Sequence, residues 1–109
     1  MNYIITESRL ETLISNFITE LTGGVLKRHK HPNSAVDYIW FTDLKDDTIF
    51  EVDDADEGLS LGVREDIWNS VNRMFSLPSY DTDIAFQKWM WNYNGMKFPS
   101  GVYTFEHND

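Results

Sequence analysis

Two places in this chain hold residue types that could do chemistry. The first is the run Asp53-Asp54-Ala55-Asp56-Glu57-Gly58, whose carboxylates and turn glycine are the types that open a calcium-binding loop. Such a loop takes oxygen ligands at its first, third and fifth positions, turns on a glycine at the sixth and closes with a bidentate glutamate at the twelfth. Counted from Asp53, Gly58 falls on the sixth position, but Ala55 holds the third and Arg64 the twelfth. Counted from Asp54, Asp56 and Glu65 fall into place and the glycine leaves its turn. Neither register builds a calcium site, and the run reads as a solvated acidic turn between strands.

The second place is His29 and His31, which flank Lys30. On a strand they point to the same side, and with a carboxylate they could hold zinc or another transition metal. No third ligand is fixed by spacing, since His107 lies in the tail, so the segment reads as a basic edge strand, guarded against unwanted pairing by its charges. The chain has no cysteine, which removes disulfides, thiol nucleophiles and thiolate metal sites. It also lacks a Gly-x-Ser-x-Gly elbow, a phosphate-cradling glycine loop and a dinucleotide fingerprint. The expectation is a non-enzyme with no cofactor and no metal site.

What remains is charge. The net charge is −9, and the stretch Val36 to Asp66 alone carries eleven Asp or Glu against two basic residues. Val25 to Ala35 contributes +3 through Lys27, Arg28 and Lys30. That one basic cluster is too little for direct contact with nucleic acid, whose phosphates need many lysines and arginines. A concentrated acidic surface bears on partner choice and encounter rate, so the expected partner is a protein with a basic surface. The candidate binding residues are Asp43, Asp46, Asp47, Asp53, Asp54, Asp56 and Glu57. If the two turns that hold them project from one end of a sheet, they form a single negative edge. Trp91 joins them as a possible anchor, because tryptophan left at a surface is a residue type that holds interfaces together.

The elements that must position these residues follow from periodicity. A short β-prone run Tyr3-Ile4-Ile5 precedes helix-start chemistry, with Ser8 to Glu11 fitting a capping box and Thr6 an alternative cap. Leu10, Leu13, Ile14, Phe17, Ile18 and Leu21 then recur at helical spacing, and Gly23-Gly24 stops the helix. From Val25 the period changes to two. Val36 to Phe41, Ile49 to Val52 and Leu59 to Val63 read as strands and Val25 to His31 could be another, a meander of three or four strands separated by Pro32-Asn33-Ser34, Asp43 to Asp47 and Asp53 to Gly58. Ile67, Trp68, Val71, Met74 and Phe75 share a second helical face that ends at Pro78. A last helix capped by Asp81 or Asp83 aligns Phe86, Trp89, Met90 and Tyr93, with Trp91 pointing elsewhere and Asn94-Gly95 as its stop. Gly101 to Phe105 is a closing strand. The expectation is one α+β domain over residues 1–109, with three helices on a mainly antiparallel sheet of three to five strands, in the order β-α-β-β-β-α-α-β.

No stretch has the flank and apolar run of a signal peptide or the length of a membrane span, so the sequence predicts a protein of the cytoplasm with no membrane partner. The opening Met1-Asn2-Tyr3-Ile4-Ile5-Thr6-Glu7-Ser8, running into Leu10, Leu13 and Ile14, resembles the start of small proteins encoded by tailed bacteriophages. That resemblance implies no activity and no functional residues; it implies a bacterial host cell during infection, or a virion, as the setting. The reading is therefore an acidic interaction protein, phage-derived, that binds and inhibits a basic macromolecule of the host or its defences. A virion or oligomer subunit and a small metal enzyme using His29 and His31 are the two alternatives.

Overall fold

Apolar residues at three- and four-residue spacing fold Glu7–Thr22 into helix α1. Gly23 ends it with φ 79°, a left-handed conformation that costs glycine nothing. The computed structural model describes residues 7–30, 39–55 and 57–106. Four strands follow: β1 (Lys27–Lys30), β2 (Ile39–Thr42), β3 (Thr48–Ala55) and β4 (Gly58–Arg64). Helices α2 (Glu65–Phe75) and α3 (Ser79–Asn94) then lead to β5 (Val102–Phe105).

The strands form one sheet in chain order, β1-β2-β3-β4-β5. Neighbours through β4 are antiparallel, whereas β4 and β5 are parallel. A parallel pair needs a long crossover, which α2 and α3 supply. Alternation sends Ile39, Phe41, Phe50, Val52, Leu61 and Val63 to one face, where all are buried. The helices cover that face. Phe50 sits at its centre, 6.1 Å from Phe86 and 5.5 Å from Trp89 between ring centroids, and Ile67, Val71 and Met90 complete the layer. The molecule is thus an α+β domain with helices on one side of a mainly antiparallel sheet.

Several details differ from the sequence expectation for identifiable reasons. α1 starts at Glu7, which takes Ser8 inside the helix and out of the capping position; Thr6 and Tyr3 to Ile5 lie outside the described residues. Four strands intervene before α2, the larger of the two counts the periodicity allows. Leu13 is 41% exposed and Met74 61% exposed, because an apolar stripe can be wider than the surface available to cover it. α1 leans mainly on α2 and α3, with Phe17 edge-on to Phe75 at 5.6 Å. α3 begins at Ser79 after Pro78, so neither Asp81 nor Asp83 caps it. Asp83 instead accepts a hydrogen bond from the Trp68 indole at 2.9 Å.

The two acidic turns do not form a single negative edge. They join β2 to β3 and β3 to β4, and consecutive hairpins of a meander lie at opposite ends of the strand they share. β3 has eight residues, which separates the turns by roughly 20 Å.

Candidate interaction surface

The sheet face away from the helices carries a row of aligned residues. Pairing places His29 beside Trp40, Trp40 beside Glu51, Glu51 beside Gly62 and Gly62 beside Tyr103. His29 stacks on Trp40 with ring centroids 5.2 Å apart, and its Nε2 meets the Thr42 hydroxyl at 2.8 Å. At the other end of the row the hydroxyl end of the Tyr103 ring crosses Gly62. A Cβ on that glycine would come within 2.6 Å of the ring, so only glycine permits the crossing. The ring carries its hydroxyl to β3, where it donates to Asp53 Oδ2 and lies 3.2 Å from Glu51 Oε2. One phenolic hydrogen thus serves two carboxylates. Burial, then the bond to Asp53 and the charges of Asp53 and Glu51, push the Tyr103 hydroxyl well above the ordinary phenol range.

The expected binding residues fall into two groups. Asp43, Asp46 and Asp47 occupy the β2–β3 turn, where two of them have structural duties. Asp43 Oδ1 accepts from the backbone N–H groups of Lys45 and Asp47 at 2.8 and 3.1 Å, the local bonding that makes aspartate a turn former. Asp46 adopts φ 65° and pairs with Lys27 at 3.1 Å. Asp53 lies on the open face under Tyr103, while Asp54 and Glu57 are exposed beside the β3–β4 turn; Asp56 lies outside the described residues. The run that invited a calcium reading is therefore folded as a hairpin, with Asp53 opposite Ser60 and Ala55 opposite Gly58.

Trp91 is 49% exposed, whereas Trp89 on the same helix is buried and donates to the Thr19 hydroxyl at 3.0 Å. Trp91 borders two shallow grooves of about 480 and 540 Å³, one between α1 and α3 and one between α3 and the Met96–Pro99 segment. Lys97 lies 5.1 Å above its ring. Pro99, in the second groove, packs on Gly58, and the Ser100 hydroxyl donates to the Gly58 carbonyl at 2.9 Å. The Met96–Ser100 segment therefore links Trp91 to the Asp54 and Glu57 turn, and leaves the Asp43 turn apart.

Sheet order sorts charge across the molecule. Lys27, Arg28 and Lys30 are exposed on β1, at one edge. Glu51, Asp53 and Asp54 are on β3, and the β4–β5 side adds Glu57, Glu65 and Glu106, all exposed. Arg64, the one lysine or arginine on β4 and β5, pairs with Asp66 at 2.7 Å. Among the described residues no three His, Cys, Asp or Glu side chains converge closely enough to share a metal ion, and no helix is long and apolar enough to cross a membrane. Sequence reasoning missed Glu51 and Tyr103. The available signal was Gly62 inside a strand, which announces a close approach without saying which residue, some forty positions on, makes it. Comparison of the chain with family models, with characterised proteins and with solved structures finds no match in any of the three.

Proposed function

We propose that this chain is a non-catalytic acidic interaction protein that binds and inhibits a basic macromolecular partner, a host or defence protein, and that it acts in the bacterial cytoplasm as a phage product. The observation that carries the reading is the separation of charge by sheet order, which leaves Glu51, Asp53, Asp54 and Glu57 on one half with a single ion-paired arginine among them. Like charges gathered this way repel, by a few tenths of a kcal/mol or more per close pair, a cost that the shared Tyr103 hydroxyl offsets for Glu51 and Asp53. A basic partner turns the repulsion into attraction and accelerates encounter. Trp91, linked to the same turn through Pro99, supplies an aromatic contact of the kind that anchors interfaces. The phage setting rests on the opening residues alone.

The test is retention of proteins from bacterial lysate at low salt on immobilised wild-type chain and on the Asp54→Asn, Glu57→Gln variant. A basic protein held by the wild type, released by salt and lost from the variant supports the reading. Retention that ignores both salt and variant refutes it.

A further inference from the structure

β5 is the last strand of the sheet, and among the described residues no strand pairs with its outer side. The Leu61 N–H donates to the Gly101 carbonyl at 2.9 Å, and Leu61 sits opposite Val102 in parallel register. Alternation then turns the backbone groups of Gly101 and Tyr103 toward β4 and those of Val102 and Thr104 outward. Edge strands are normally blunted with charge, proline or a bulge. β1 follows that rule, with Lys27, Arg28 and Lys30 filling three of its four positions. β5, with the sequence Val-Tyr-Thr-Phe, follows none of it.

The surroundings of the unguarded edge select what can pair with it. Asp54 and Glu57 stand near the start of β5, Glu65 and Glu106 at its end, and Glu51 and Asp53 lie on the open face at the tip of Tyr103. We propose that the outer edge of β5 is a strand-addition site for an extended basic segment of a partner protein, with lysine or arginine at alternate positions. This rests on the acidic-interaction reading above and names its mode: main-chain hydrogen bonds to Val102 and Thr104 give the affinity, and the alternating side chains give the selectivity. A residue of the added strand opposite Tyr103 lies on the open face, where a cation meets the phenol ring within the field of Glu51 and Asp53.

The experiment uses the full chain and two capped peptides of alternating lysine and valine, identical in charge, one with its alternate amides N-methylated so that it cannot join a ladder. The unmethylated peptide is expected to bind about tenfold more tightly at about 0.05 M salt, where charge is weakly screened. It should slow hydrogen exchange at the Val102 and Thr104 amides and not along β1. Thr104→Lys, which places a guarding charge on the edge and leaves the β4 ladder intact, should lower that affinity about tenfold while the exchange pattern of the core stays unchanged. Equal binding of both peptides without protection of Val102 and Thr104 overturns the strand-addition site and leaves the acidic-surface reading standing. Binding of neither contradicts both. A concentration-dependent doubling of mass without peptide, abolished by Thr104→Lys, would make the occupant a second copy and overturn the proposal.

Discussion

Tyr103, Gly62, Glu51 and Asp53 form one unit in which each residue type is required by another. The phenol reaches β3 only because Gly62 has no side chain, and the two carboxylates tolerate their closeness because a donor lies between them. Gly62→Ala should therefore cost about 1–3 kcal/mol, as overpacking does. Most of that cost should vanish in a Tyr103→Ala background, which removes the ring the new methyl meets; denaturant unfolding of the four-member cycle measures the coupling. The same unit sets a pH dependence. Tyr103 holds its proton in the folded state beyond the pH at which an unfolded tyrosine loses it. Its contribution is therefore fully present below pH of about 10 and is lost as pH rises above that, with a slope of at most ~1.4 kcal/mol per pH unit. Tyr103→Phe should remove that alkaline slope, and unfolding followed from pH 8 to 11 reads the difference, where about one proton is at stake.

At the scale of elements, periodicity was a sound guide wherever burial has one cause. α1, β4 and α3 stand where the spacing of apolar residues places them, and the Gly23 and Gly95 stops hold, with φ of 79° and 75°; β3 runs past Val52 to Ala55, through half of the stretch expected as a turn, because Asp53 and Asp54 pair with Ser60 and Leu59 of β4. Periodicity failed where it had to say how much of an apolar stripe is covered. Leu13 and Met74 belong to their stripes by spacing yet stay substantially exposed, because the extent of cover depends on neighbours that local sequence does not name. Ile18→Ala should accordingly cost about 2–5 kcal/mol, as buried truncations do. Leu13→Ala should stay within about 0.5 kcal/mol. Along α3 the same contrast separates Trp89→Ala, at about 3–5 kcal/mol, from Trp91→Ala, whose effect should fall on binding instead. Urea unfolding of the four variants checks all of this. The caps illustrate another gap. Ser8 and Asp81 have the right chemistry for helix starts, but the helices begin earlier, at Glu7 and Ser79, because several polar residues in a row offer more than one start.

The whole molecule carries information that a linear reading of charge misses. Along the chain, Asp43 to Glu57 is one acidic run, but β3 passes through its middle and sends its two turns to opposite ends of the strand. Folding thus divides the run. Asp46 is returned to a lysine on β1, and Asp53, Asp54 and Glu57 are gathered with Glu51 and the Trp91 side of α3. On the strands of the second group, β3, β4 and β5, the one lysine or arginine is Arg64, which pairs with Asp66. The measurement that bears most directly on the acidic-interaction account is the association rate of the partner retained at low salt, followed across ionic strength for three proteins. These are the wild type, Asp54→Asn with Glu57→Gln, and Asp43→Asn with Asp46→Asn and Asp47→Asn, asparagine being able to keep the turn bonds of Asp43. The first variant should associate more slowly, by about three- to tenfold at low salt, with a shallower salt dependence. The second variant should associate as the wild type does. Equal rates and equal salt dependence for all three proteins would contradict the acidic-interaction account.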